Sequence, residues 1–254
     1  MKNFRWILSG ILVSLLLITG CGVTQSQMKK ERDAEAHYKL GRAYLNENNL
    51  QMAYIEFKKA IDFSPNDKTY YYAYGYVNVE MGRERDAVDA YKKALTIDPM
   101  YAEAHNSLGA VYGKMGKWDD AIGEYRKALN NPQYLTPQLA HYNLGYAYFS
   151  NGDYRSAISS FQEASKIQPG MSLFPLWIGI TYMKIEMTKD AIASFEEARK
   201  LDPGNVDVHY NLAFAYLKEG KKEEALNSFK KVVEMSPNSE AAAESMKYID
   251  LLKK

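Results

Sequence analysis

One spacing governs what this chain can become. Gly41, Gly75 and Gly109 lie 34 residues apart; Gly145 follows after 36, and Gly179 and Ala213 after 34 each. Three more series run in the same phase. Ala53, Ala87, Ala121, Ala157, Ala191 and Ala225 form one, and Phe57, Tyr91, Tyr125, Phe161, Phe195 and Phe229 another. Pro65, Pro99, Pro169, Pro203 and Pro237 form the last, absent from the third copy alone. Six copies of so short a unit cannot each bury a core, so they must stack. Apolar residues recur at helical spacing in both halves of a copy, as in Leu40, Ala43 and Tyr44, then Ala53, Phe57, Ala60 and Ile61. Gly82, Gly116, Gly152 and Gly220 fall between the halves, where a helix end favours positive φ. The prolines close the second half. The small residues of the first two series let helix axes approach closely.

This pattern resembles the tetratricopeptide repeat, which has small, aromatic and proline positions in a 34-residue unit. The resemblance covers residues 34–239 and implies an all-α fold. The expected form is a right-handed superhelical solenoid of six helix-turn-helix units: 34–67, 68–101, 102–137, 138–171, 172–205 and 206–239. Residues 240–254 read as an amphipathic capping helix, with Ala243, Met246, Ile249 and Leu252 on one side. Asn78 departs from the aromatic that other copies carry as Tyr44, Tyr112, Tyr148, Tyr182 and Tyr216, and Pro175 marks where the fifth copy's first helix starts or bends.

The resemblance also implies a concave groove lined by the fifth, ninth and twelfth positions of each copy. Here these include Tyr38, Tyr72, Tyr76, Tyr142, Tyr146, Phe149, Leu176, Ile180, Met183, Tyr210, Phe214 and Leu217. Such a surface suits a protein partner, because aromatic rings anchor at low entropic cost. The third copy breaks the stripe with Asn106, Ala110 and Gly113, beside a two-residue insertion within 130–137. Lys114, Lys184 and Lys218 share the thirteenth position as a candidate basic rim. The paired lysines and asparagines of a chaperone-binding carboxylate clamp are not in place.

Composition excludes other roles. Lys+Arg 32 against Asp+Glu 31 gives no case for nucleic acid. The four histidines, His37, His105, His141 and His209, all occupy the fourth position of a copy and read as packing residues. No metal site, cofactor, small-molecule substrate or catalytic constellation is expected, so the chain does not read as an enzyme.

Residues 1–20 read as a secretory leader. Lys2 and Arg5 precede an apolar run from Trp6 to Gly20, short of the roughly 20 residues that cross a bilayer. Ile18-Thr19-Gly20-Cys21 resembles the bacterial lipobox. That resemblance implies cleavage before Cys21, the only cysteine, and acyl chains on it that bind the lipid bilayer. Residues 21–33 then form a lipidated cysteine and polar tether. Gly22 resembles the residue of lipoproteins sorted to the outer membrane, implying its inner leaflet facing the periplasm. Lipobox, tether and six repeats together resemble the secretin pilotins of type IV pili, which implies a secretin subunit as partner and assistance to its localisation and multimerisation. The same architecture also serves periplasmic scaffolds and adaptors for cell-envelope enzymes or outer-membrane protein assembly.

Overall fold

The computed structural model describes residues 24–253, among which there are thirteen helices and no strand. The chain divides into two bodies, Met1–Gly82 and Arg83–Lys254. In the first lie α1 (Gln25–Asn46), α2 (Leu50–Phe63) and α3 (Lys68–Glu80). The second opens with α4 (Glu84–Ile97), α5 (Ala102–Lys114), α6 (Trp118–Leu129) and α7 (Pro137–Ser150). It continues with α8 (Tyr154–Ile167), α9 (Leu173–Lys184), α10 (Thr188–Leu201) and α11 (Val206–Lys218). It ends with α12 (Lys222–Met235) and α13 (Glu240–Leu252). Within each body every helix packs on the next in sequence.

The repeated glycines set how closely paired helices approach. A Cβ on Gly41 would stand 2.7 Å from the Phe57 ring, on Gly109 2.8 Å from Tyr125 and on Gly145 2.7 Å from Phe161. Gly179 meets Phe195 in the same way. The rings press on glycine backbone and are almost wholly buried, as are the alanines from Ala53 to Ala225 one turn earlier. Burying such a ring contributes about 1.5–3 kcal/mol.

The turn between paired helices needs one residue in the left-handed region. Gly82, Gly116, Gly152 and Gly220 take it with φ of 70 to 83°, as their spacing predicts. The equivalent positions in the first and fifth repeats are Asn48 (φ 58°) and Glu186 (φ 64°). Asn tolerates this conformation, whereas a glutamate in it costs about 1–2 kcal/mol.

Three local expectations are corrected. The polar tether assigned to residues 21–33 is helical from Gln25 onward, and residues 21–23 lie outside the described residues. Its Gln, Met, Lys, Glu and Arg are good helix formers. Thr24 accepts a hydrogen bond from the Gln27 N–H, and the Gln27 amide donates to Glu31 at 3.0 Å. Leu40 and Ala43 are exposed on α1, which turns Ala34 and Gly41 inward. On α13, Ala243 and Met246 are exposed, while Ala242, Ser245 and Ile249 are buried. Ile249 and Leu252 meet the core as expected, whereas in the first half of the helix the buried face shifts by one residue, where the Tyr248 ring stacks on Phe229 at 5.2 Å and meets Phe214 edge-on at 5.0 Å. Burying that ring outweighs burying Ala243 and Met246.

Two more features agree with expectation. Pro175 lies in the first turn of α9. Asn78 is fully buried where other repeats carry an aromatic, and its amide donates to the Tyr74 carbonyl at 2.7 Å.

The glycines divide into two classes with opposite mutational outcomes. Gly145→Ala should cost about 1–3 kcal/mol by pressing on Phe161. Gly123→Ala, inside α6 with open space at its Cβ position, should stabilise by about 0.5–1 kcal/mol. Urea midpoints at unchanged slope test both, and equal effects would refute the close-packing account.

Candidate functional site

A continuous run of rings crosses the third, fourth and fifth repeats. Trp118 opens α6 and meets Tyr146 of α7 at 6.2 Å. Tyr146 meets Trp177 of α9 edge-on at 5.1 Å, and Trp177 meets Phe149 at 5.5 Å. Phe149 meets Tyr154, the first residue of α8, at 5.6 Å. Edge-to-face contacts at these separations hold rings in fixed orientations. Tyr146 remains 40 % exposed, and Trp118, Phe149 and Trp177 are half-buried. The rings therefore keep area free for a partner while propping one another.

Helical geometry brings them together. Tyr146 and Phe149 sit three apart on α7 and share a face. Trp177 projects from the next repeat into the space between them. The two tryptophans lie outside the fifth, ninth and twelfth positions, and no periodic rule selects them. Their signal is composition, since only three tryptophans occur in the chain.

The other groove residues divide by burial. In the first body, Tyr38 is wedged between Phe57 at 5.9 Å and Tyr70 at 5.2 Å, so it serves packing. Tyr72 is half-buried and Tyr76 is 42 % exposed. Burial pushes the Tyr76 phenol up, helped by Glu80. In the second body, Tyr142 lies against Phe161 at 5.8 Å and Phe174 at 6.1 Å, and burial pushes its phenol up.

Leu176 was expected to line the groove, but it is 6 % exposed and belongs to the core. Ile180 and Met183 are partly buried against that core. The sixth repeat is covered more than its sequence implies, because α13 lies over it. Phe214 packs between Phe229 at 5.2 Å and Tyr248, and Leu217 joins the same cluster. Tyr210 donates to the Glu244 carboxylate at 2.5 Å. Burial, then that hydrogen bond, push its phenol up to about 12.

Within this body the open surface is thus the third to fifth repeats. Beside it lies a cavity of about 260 Å³, where Ala110 and Gly113 leave space between Trp118, Tyr125, Asn143 and Tyr146. Lys114 stands at the same cavity and pairs with Glu84 at 2.6 Å. Lys218 lies 3.7 Å from Glu186, so neither lysine is a bare cation.

Three of the four histidines act as brackets. His105 is buried, with Nδ1 2.6 Å from Glu124 and Nε2 donating to the Pro99 carbonyl at 3.1 Å. His209 donates to the Pro203 carbonyl at 2.9 Å, and His37 lies 2.6 Å from Glu56. Burial alone would raise the Glu124 carboxyl, but hydrogen bonds from His105 and Lys127 hold it below its usual range. Among the described residues there is no group of three metal-ligating side chains, and no helix is long and apolar enough to cross a membrane. Cys21 lies outside the described residues.

Comparison with known proteins bears on this arrangement. Family models described as tetratricopeptide repeat match residues 34–67, 139–171 and 186–247, and one described as TPR repeat matches 76–116. No curated protein matches the chain. Among solved structures it is similar to PilW, a widely conserved type IV pilus biogenesis factor, with a TM-score of 0.74 and 19 % identity over 84 % of this chain and 98 % of that one. It is similar to PilF of Pseudomonas aeruginosa, with a TM-score of 0.72 and 17 % identity over 86 % and 99 %. It is also similar to YrrB, a TPR protein with an unusual peptide-binding site, with a TM-score of 0.63 and 24 % identity over 75 % and 97 %. At these identities the likeness is one of fold.

Burial separates two tyrosines one helical turn apart. Tyr142→Ala should cost about 2–4 kcal/mol, because its ring fills space between Phe161 and Phe174. Tyr146→Ala should stay within about 1 kcal/mol of the parent. Thermal melts distinguish them, and equal losses would show that Tyr146 is core.

Proposed function

We propose that this chain, a tetratricopeptide-repeat protein, is a membrane-held scaffold that assists localisation and multimerisation of the type IV pilus secretin. The observation that carries the scaffold reading is the open run Trp118–Tyr146–Trp177–Phe149. These rings are fixed in place yet leave area for a partner's side chains. Tetratricopeptide repeats are protein-interaction modules, so the partner is a protein.

The choice of the pilus secretin draws support from two sides. Similarity to PilW and PilF extends over nearly the full length of both. The lipobox resemblance at Ile18–Cys21 supports a lipid-anchored chain, and Gly22 an address on the inner leaflet of the outer membrane. One acyl chain binds a membrane only marginally, whereas two or three hold it firmly. A groove held at the membrane raises the local concentration of the subunit it captures. No chemical step is needed.

Deleting the gene should abolish the heat- and detergent-resistant secretin multimer while monomer persists, read by immunoblot. An unchanged multimer would overturn the secretin assignment. Cys21→Ser should move the protein from the membrane to the soluble fraction, and a variant that still sediments would overturn the lipid anchor.

A further inference from the structure

A recurrent three-residue frame loses its middle member in the sixth repeat. In the first repeat the Glu56 carboxylate lies 2.6 Å from His37 Nδ1 and accepts from the Lys59 ammonium at 2.7 Å. The third repeat builds the same frame, with Glu124 at 2.6 Å from His105 Nδ1 and accepting from Lys127 at 2.8 Å. These are the fourth, twenty-third and twenty-sixth residues of a copy. The sixth repeat keeps the outer two as His209 and Lys231 and carries Ser228 in place of the carboxylate. The fourth repeat also has a serine there, Ser160 after His141, but it carries Glu163 where the lysine stands. The sixth is thus the copy that keeps both partners of a carboxylate and omits the carboxylate.

A cavity of about 290 Å³ lies at this place, lined by His209, Ser228 and Lys231. His209 is 7 % exposed, and its Nε2 donates to the Pro203 carbonyl as that of His105 does to Pro99. With the ring anchored by the same edge, its Nδ1 edge turns toward residue 228 as that of His105 turns toward Glu124. Ser228 does not replace the acid, because its hydroxyl donates at 2.9 Å to the Glu224 carbonyl one turn back on α12. The walls also carry Arg199 of α10, Tyr216 of α11 and the acid Glu224. Arg199 pairs at 2.5 Å with Glu196, which also accepts from the Tyr216 hydroxyl, and Lys231 pairs at 3.0 Å with Glu234. Exposed pairs of this kind contribute at most about 1 kcal/mol, so Lys231 can turn from Glu234 to a ligand at little cost. Small-molecule sites usually hold about 300–1,000 Å³, so this cavity suits a single side chain. Its lining residues lie off the fifth, ninth and twelfth positions of the groove.

We propose that this cavity receives a carboxylate side chain, glutamate or aspartate, of the protein partner. His209 Nδ1 and the Lys231 ammonium hold it as their counterparts hold Glu56 and Glu124 within the chain. This rests on reading the chain as a protein-binding scaffold. Nε2 already donates to Pro203, so the ring takes up a proton from solvent to donate from Nδ1 as well. Hydrogen bonds between charged partners are roughly twice as strong as neutral ones.

Capped amino acids test it on the full chain. The probe is N-acetylglutamate N-methylamide, set against its glutamine analogue, N-acetylglycine and inorganic phosphate, and followed through the ring signals of His209 and His141. We expect the glutamate probe to shift His209 saturably, with a Kd on the order of 1–10 mM and at least fivefold tighter than the other three. His141 should not move. Ser228→Glu should abolish the shift by supplying the carboxylate from within, and Lys231→Glu should weaken binding about tenfold. Both variants copy residues that other repeats carry at these positions, so both should fold, and their melts check this. Equal binding of the glutamine analogue, or an equal shift of His141, would overturn the proposal. So would a shift that survives either variant. Tighter binding of N-acetylglycine would replace the side chain by a chain terminus, and tighter binding of phosphate would replace it by an inorganic anion. Secretin capture separates the two readings. If the glutamate probe binds as expected and the parent chain captures no secretin, the secretin assignment fails while the carboxylate site stands. If the parent captures secretin and Ser228→Glu captures it equally well, the carboxylate proposal fails while the scaffold stands.

Discussion

The contact of an aromatic ring with a bare glycine backbone is the constraint on which the rest depends. Gly41 with Phe57, Gly109 with Tyr125, Gly145 with Phe161 and Gly179 with Phe195 bring paired helices together closer than a Cβ at the glycine would allow. That separation fixes where the alanine series falls and where each turn must reverse. The turn residue in turn fixes the left-handed φ that four glycines adopt freely and Glu186 adopts at a cost. The sixth repeat carries Ala213 at the glycine position, and Ala213 and Phe229 are both fully buried in one core cluster.

The same rigidity prepares the candidate site. Helices held at a set distance present their outer positions in register, so rings from α6, α7 and α9 meet edge to face without a dedicated loop. A binding surface built on packed helices loses little conformational freedom when a partner arrives. The third repeat keeps the shared core, with Gly109 and Tyr125, while small residues, Ala110 and Gly113, stand at its groove positions. Core packing and the candidate surface therefore fall on different positions of one copy.

Much of this was legible in the sequence because repetition compares the chain with itself. A glycine that recurs opposite a recurring ring is a contact, and the turn glycines announce their conformation. Burial at the ends was less legible, because end helices have no copy to be compared with. The α13 face was assigned from Ala243 and Met246, yet Tyr248 decides it, since one large ring outweighs two smaller side chains. Residues 25–33 lack an apolar stripe and were read as a tether, yet charged residues of good helix propensity extend α1. At the site, Tyr146 and Phe149 were legible from position, whereas Leu176 looked the same and is buried. Trp118 and Trp177 fall off the groove periodicity, so only their rarity marked them.

Packing between sequence neighbours also bears on how the molecule comes to exist. Contacts within the second body are dominated by helices adjacent in sequence, so each closes only a short loop and pays little closure entropy. A chain that emerges from one end can therefore add helix to helix as it appears, without waiting for its far end. α13 arrives after the repeat that it covers, and until Tyr248 reaches Phe214 and Phe229 that apolar face stays open. The nascent chain is thus open to aggregation between the appearance of α12 and the docking of α13, and that docking ends the exposure.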